Sequence, residues 1–564
     1  MNFAITTFGL ETYGEAIARE RLRFDQDGLI ARIWKHDPTV WKAEDVEISK
    51  RLGWLEAPAG AARSVAEYES FAEEIRQAGF SCALLCGMGG SSLAPEVFGG
   101  IFGPAGDGLG LEVLDSTDPA AVLRYARTLP EGETLFVVSS KSGTTLETAS
   151  FMNYFYSRTR ERLGPRRAAE SFVAVTDPGS FLESEARRLN FRRVFSGKPD
   201  IGGRFSVFSP FGLVPAALIG LPMRALLSEA NEAVGSCRRL RAGENPGANL
   251  GIILGTLALA GRDKAVFLFS PALQSFGAWV EQLLAESTGK DGRGILPIVR
   301  PTAVPHSGPA KDRVTIVIGL SGDTALAAAV KEARGRGDPV ISMTLEDPLE
   351  LGAQFYLWEF ATAAAGAVLG INPFDQPNVA LSKKKTEAAL NAFLKSRTFP
   401  VESSTWEEET LVFYGEKREV GLRSGLRKLF EKFKDGGYAV IQAFLPPSPE
   451  ITEALRTLAG CIETRTGRPV VFDYGPRFLH STGQLHKGDG GAGIFLQLTA
   501  AHGKDAVVPS SPDAGGSAYS FGNIIDAQAL GDRQALREKG RPVARLHFKG
   551  DAIEGIYKTV ERMS

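Results

Sequence analysis

The stretch Thr134-Leu135-Phe136-Val137-Val138-Ser139-Ser140-Lys141-Ser142-Gly143-Thr144-Thr145-Leu146-Glu147-Thr148-Ala149-Ser150-Phe151-Met152 decides the fold. Its first six residues read as a strand and its last seven as the start of a helix. Between them lies a turn of hydroxyls, one glycine and one lysine. A strand that turns directly into a helix is the repeating unit of an α/β sheet. The turn itself reads as a phosphate cradle. Backbone N–H groups at a helix start point outward, the helix dipole favours an anion there, and four hydroxyls and Lys141 add donors. Capping of the helix by Ser or Thr accounts for the same residues, so the surrounding motifs have to decide.

The unit recurs on both sides. Strand-like runs at Cys82–Cys86, Leu111–Leu114, Leu135–Ser139 and Phe172–Thr176 alternate with helix-like runs, which predicts a doubly wound parallel sheet. A second cycle follows the loop Gly243-Glu244-Asn245-Pro246-Gly247, with strands at Ala265–Phe269, Val314–Ile318 and Val340–Thr344. Its helices include Trp279–Ala285 and Phe355–Leu369, the latter apolar nearly all round and therefore buried. Ahead of both, residues 1–60 read as an amphipathic helical segment with Trp34, Trp41 and Trp54 as packing anchors. The expected division is 1–60, 61–235, 236–402 and a C-terminal α/β region over 403–564, either a further unit or an extension of the second sheet. There a surface helix is expected at 424–434, strands at Tyr438–Phe444, Pro469–Tyr474, Ile494–Thr499 and Val543–Phe548, and an exposed loop at 505–520.

Composition narrows the function. With 564 residues, 43% hydrophobic and 23% charged, the chain is an ordinary globular protein of several domains. A formal charge of −2 offers no basic field for nucleic acid or an anionic membrane. No apolar run reaches the ~18 residues of a membrane span, and the N-terminus has no signal-peptide pattern. Four cysteines in so long a chain do not make a disulfide framework. Cys82 and Cys86 read as two buried thiols on one strand, and a cytoplasmic location is expected.

Five clusters carry possible chemistry. Gly87-Met88-Gly89-Gly90-Ser91-Ser92 follows a strand, and Asp115 ends the next one. That pattern approaches a dinucleotide fingerprint, but a tight turn beside any anion fits equally. Gly202-Gly203-Arg204 lets backbone approach a ligand and then supplies a fixed positive charge suited to an oxyanion or enediolate; a surface ion pair is the plain alternative. Glu286, in Glu286-Ser287-Thr288-Gly289-Lys290, sits at a helix end beside a glycine turn, as a general base or a solvated residue would. Asn372-Pro373-Phe374-Asp375-Gln376-Pro377 is a stiff turn that leads to the lysines 383–385. Finally, Leu479-His480-Ser481-Thr482-Gly483-Gln484-Leu485-His486 holds two of the six histidines. No completing ligand set favours zinc there, so proton transfer or a structural histidine remains.

Together the segments Gly87–Pro95, Ser140–Thr148, Gly202–Pro215, Glu286–Lys290 and Asn372–Lys383 resemble phosphoglucose isomerase, a family of two sugar-isomerase (SIS) domains. The N-terminal segment, residues 478–488 and the tail are similar to the isomerase half of bacterial transaldolase–phosphoglucose isomerase fusions. The resemblance implies two tandem doubly wound SIS domains between a helical N-terminal segment and an α/β C-terminal extension. It implies interconversion of glucose 6-phosphate and fructose 6-phosphate without metal or other cofactor, in a homodimer. By motif, Ser140, Ser142 and Thr145 resemble the phosphate ligands, with Lys141 beside them and Gly90, Ser91 and Gly203 near the sugar. Glu286 resembles the base, Arg204 the enediolate-stabilising group, and Gln376 and Lys383 keep the family's seven-residue interval.

The histidine departs from the pattern. The family's ring-opening histidine lies between the Glu and Lys motifs, where this chain has only His306. The better local match is His480, after Lys383; His306 is the alternative and His486 a weaker one. Three other readings stay open: a non-catalytic SIS sensor, an NAD-dependent oxidoreductase using Gly87–Ser92 and Asp115, and an isomerase that also accepts mannose 6-phosphate.

Overall fold

The structure, a computed structural model, describes residues 5–300, 311–416, 420–513 and 515–563. The stretch that opened the reading folds as read. Thr134–Ser139 is a central strand, buried along its whole length, and the helix Leu146–Glu170 follows its turn. This strand lies in a five-stranded parallel sheet ordered Gly110–Leu114, Cys82–Gly87, Thr134–Ser139, Phe172–Thr176, Arg193–Ser196. Strands such as Phe172–Thr176 are buried at every residue, as a sheet covered on both faces requires.

A second sheet repeats the winding: Leu296–Arg300, Lys264–Phe269, Arg313–Leu320 and Val340–Leu345, all parallel. Its fifth place is taken by Ile5–Phe8, antiparallel to Val340–Leu345. The N-terminal segment is therefore not helical throughout; its β-branched start, Ile5-Thr6-Thr7, suits an edge strand. The remainder does form helices, Gly14–Gln26 and Leu29–Trp34, and short turns. Its tryptophans pack where expected. Trp41 meets Phe374 edge-on at 5.0 Å, and Trp54 lies 5.2 Å from Phe205.

The C-terminal region builds its own sheet rather than extending the second. Val470–Tyr474, Tyr438–Phe444, Gly493–Ala500 and Val543–Phe548 are parallel in that order, again the same winding. Leu411–Tyr414 and Trp406–Glu407 close it antiparallel. The expected loop at 505–520 is not exposed throughout its described residues. Val507–Val508 pairs with Tyr519–Ser520, and the buried Ala506 and Val508 pack with Phe151 and Met152. Of the paired cysteines, Cys86 is buried and Cys82 partly exposed; all four thiols are free. Among the described residues no helix is long and apolar enough to cross a membrane.

The first two sheets share one hydrophobic core, centred on the helix Leu351–Leu369, which is buried at every residue. The helix Pro246–Leu259 packs against it through glycines. A Cβ at Gly251 would stand 2.2 Å from the Ala361 carbonyl oxygen, so the two backbones approach as closely as only glycine allows. The same buried helix carries Glu359, whose carboxylate oxygens have no hydrogen-bond partner among the described residues. Burial pushes its pKa well above the usual carboxylate range, so the folded chain holds it protonated while the unfolded chain ionises it. Stability is consequently lost as pH rises from the ordinary Glu value toward the raised one. Glu359→Gln, neutral at every pH, should gain melting temperature over the wild type by roughly 2 °C or more at pH 8 and by less at pH 5, measured by thermal unfolding.

Candidate active site

The hydroxyl turn stands at the carboxyl end of its strand, beside the point where the first sheet reverses its winding. Open α/β sheets hold ligands there. Gly143 lets the turn pack closely, with φ +71° and a would-be Cβ only 2.5 Å from Leu182 N. Capping does not explain Thr145, because its side chain makes no capping bond. Its hydroxyl instead accepts from Ser140 Oγ at 3.2 Å, and Ser140 Oγ accepts from Gly143 N at 3.1 Å. Ser142 and Thr144 are linked through their hydroxyls at 3.1 Å. Lys141 turns elsewhere: Asp177 takes its ammonium, which also donates to the Lys198 carbonyl at 2.9 Å. Burial lowers its pKa.

The turn forms one wall of a cleft of about 680 Å³, a size suited to a small polar ligand. Lys383, from the helix Pro377–Ser396, faces it from the second unit. His480, in the turn Arg477–His480 after strand Val470–Tyr474, faces it from the third. Three sheets thus contribute to one cleft, and one chain supplies all of these groups.

Glu147, an acid in the first turn of the helix Leu146–Glu170, has no motif that marks it in the sequence. The structure puts it 3.0 Å from His480 Nε2. Gln528, on the helix Phe521–Glu538, donates to the same carboxylate oxygen at 2.7 Å. Burial raises the Glu147 pKa, but His480, a backbone hydrogen bond and the charge of Lys383 together outweigh it and the net direction is down. A carboxylate only accepts, so His480 Nε2 carries a proton, and in the neutral ring Nδ1 is the acceptor. No sequence signal marked Gln528, which is far along the chain and without a motif.

A second cluster lies deeper. Arg204 is 3% exposed. Its Nε donates to Ser287 Oγ (2.7 Å), Nη1 to Gln376 Oε1 (2.9 Å), and Nη2 to the carbonyls of Pro373 (2.6 Å) and Asp375 (3.1 Å). Nη1 also lies 3.6 Å from Glu286 Oε2. Lys290 clamps the same turn through Asp375 Oδ1 (2.7 Å) and the Asn372 carbonyl (2.6 Å). Burial first, then the neighbouring Arg204, push its pKa down to about 7. Gly90 and Gly203 touch through their backbones: a Cβ on Gly90 would fall 2.1 Å from the Gly203 carbonyl carbon. Ser91 is buried in that contact, its carbonyl accepting from Ser139 Oγ at 3.0 Å.

The expected site residues thus fall into two groups, the cleft (Ser142, Thr145, Lys383, His480) and the buried cluster (Arg204, Glu286, Gln376). The helix Phe276–Thr288 joins them. One turn before Glu286, Gln282 Nε2 donates to the His480 carbonyl at 2.6 Å. His306 lies outside the described residues. His486 is fully buried between Phe478 and Phe495, and burial drives its pKa well below the usual value. Asp115 pairs with Arg477 at 3.2 Å.

The chain is similar to known proteins. The family profile described as phosphoglucose isomerase matches residues 75–294. A glucose-6-phosphate isomerase of Carboxydothermus hydrogenoformans is 30% identical over 60% of this chain and 85% of its own. One of Rubrobacter xylanophilus is 32% identical over 57% and 84%. Among solved structures, a hypothetical protein of Thermus thermophilus has a TM-score of 0.60 at 24% identity, covering 69% of this chain and 99% of its own. A glucose-6-phosphate isomerase of Chlamydia trachomatis has 0.51 at 23%, covering 66% and 79%. On the strength of the first two relatives and the matched segment, the chain belongs to the phosphoglucose isomerase family.

Proposed function

We propose that this protein interconverts glucose 6-phosphate and fructose 6-phosphate through a cis-enediolate. The observation that carries the reading is the cleft itself, lined by the hydroxyl turn, the His480–Glu147 pair and Lys383, with the Glu286–Arg204 pair at the helix whose Gln282 bonds the His480 carbonyl.

The substrate phosphate rests on the Ser140–Thr145 turn, among its hydroxyls and the backbone N–H groups at the helix start. His480 opens the ring. Its Nδ1 takes the proton of the anomeric hydroxyl, at C1 of the aldose or C2 of the ketose, and delivers it to the ring oxygen as the ring C–O bond breaks; Glu147 opposite Nε2 stabilises the imidazolium that forms in between. Lys383, which lines the same cleft, serves the ring oxygen. Glu286 then removes the C2 proton of the open aldose, leaving negative charge across C1, C2 and their oxygens. Arg204 offsets that charge through its fixed guanidinium; the O2 proton passes to O1, and Glu286 returns its proton at C1, leaving the C2 carbonyl of the ketose. Lys141 supports the turn from behind, through Asp177, rather than touching phosphate.

Two outcomes test this. Glu286→Gln should lower kcat by at least a thousandfold, because the amide cannot accept the carbon-bound proton, yet leave fructose 6-phosphate binding by calorimetry within a few-fold. Turnover near wild type in that variant would remove Glu286 from the chemistry. Since no step in this route uses a metal, activity should also survive EDTA.

The resemblance implies a homodimer, and we read each copy as carrying its own full set of groups. Specific activity should therefore stay constant on dilution into the nanomolar range, through any dissociation seen by light scattering. A fall in activity that tracks dissociation would mean that the partner completes the site.

A further inference from the structure

We propose that Gln528 is a positioning residue for the His480–Glu147 pair and that Thr117 holds its amide in place. The inference rests on the ring-opening role given to His480 above.

Gln528 and Thr117 are buried, 2% and 0% exposed. Thr117 Oγ1 lies 2.6 Å from Gln528 Oε1, and Gln528 Nε2 lies 2.7 Å from Glu147 Oε1. The chain of bonds has one self-consistent polarity. A carboxylate can only accept, so the Gln528 amino group must face Glu147, and the amide carbonyl is left to accept from the Thr117 hydroxyl. The reverse orientation would press a carbonyl oxygen against a buried carboxylate. Glu147 therefore sets the amide orientation, Thr117 holds the amide there by donating to its carbonyl, and the carboxylate so held fixes the Nε2–H form of His480. Bonds to a charged acceptor in a buried site are the strong kind.

The helix that carries Gln528 does a second thing on the same face. One turn on, Asp532 pairs with Lys487 at 2.6 Å and lies 3.3 Å from Ser382 Oγ, next to Lys383. The two positions, four residues apart, face the same way. One helix face thus sets the His480–Glu147 pair and the Lys383 helix in register. It does so from the C-terminal sheet, which otherwise gives the cleft only His480 and Leu479. The charged groups facing the pair are Lys383 toward Glu147 and Asp115, itself paired with Arg477, toward His480.

The test is steady-state kinetics over pH for Gln528→Leu, Thr117→Val and His480→Ala, with thermal unfolding of each. Gln528→Leu should lower kcat roughly ten- to a hundredfold, the effect of one lost bond to a charged group. KM should stay within a few-fold, because the phosphate turn is untouched. The acid limb of the kcat/KM profile should move to higher pH, since Glu147 loses a donor that favours its ionised form. Thr117→Val should shift the limb the same way by less, and it carries the test if Gln528→Leu does not fold. A wild-type pH profile and kcat in the folded Gln528→Leu, or in Thr117→Val when it stands alone, overturn the inference. His480→Ala separates the two levels. If it keeps wild-type kcat, the functional reading falls; if it loses activity while Gln528→Leu does not, only the positioning role falls.

Discussion

A guanidinium buried in protein must have its donors satisfied, and much of the site's geometry follows from that requirement at Arg204. Five N–H groups radiate from one plane. Four are taken by Ser287, Gln376 and the carbonyls of Pro373 and Asp375, which belong to the Phe276–Thr288 helix and the stiff turn before the Lys383 helix. The remaining Nη1 donor lies on the side of Glu286. Arg204 can be brought so deep because Gly202 and Gly203 precede it, and Gly203 lies against Gly90 with no side chain between them. Burial opposes the charged form and the carboxylates of Glu286 and Asp375 favour it. Removing the cation would leave carbonyls and a carboxylate facing each other, which is why a lysine, with one point charge and no fork, is no substitute there.

The second constraint is topological. Three parallel sheets share one winding, and each has a loop after its third strand where a helix begins or is approached. They use it differently. In the second sheet Asp323 fills the position with its own carboxylate, accepting from Ala325 N and Leu326 N. In the third, Asp505 accepts from Gly522 N and lies against Ser520, at the start of the Phe521–Glu538 helix. In the first sheet the equivalent turn holds Ser142, Gly143, Thr144 and Thr145 and no acid. The first turn differs from the other two in carrying no acid, as the proposed phosphate site requires.

These differences explain what the sequence could disclose. The buried strands were legible, Phe172–Thr176, Tyr438–Phe444 and Val543–Phe548 to the residue, because apolar β-branched runs bounded by turns leave little choice. Edge strands such as Ile5–Phe8 and Arg193–Ser196 were not, being short and half exposed. Site residues next to a glycine or in a hydroxyl turn announced themselves. Residues that act by pairing did not: neither Glu147 nor Gln528 stands in a motif that marks it. Their role appears only when chain segments 381 positions apart meet. Lys141 shows the converse, a lysine in a phosphate motif whose charge is committed to Asp177.

The central claim is that one ligand spans both clusters, with its phosphate on the hydroxyl turn and its reacting carbons at Glu286. A crystal structure with a five-carbon aldonate 5-phosphate, whose planar carboxylate mimics the enediolate, tests it most directly. The account predicts the phosphate within hydrogen-bond distance of Ser142 and Thr145 and the carboxylate end beside Glu286 and Arg204. A phosphate bound away from residues 140–145, or a carboxylate end out of reach of Glu286, would contradict it.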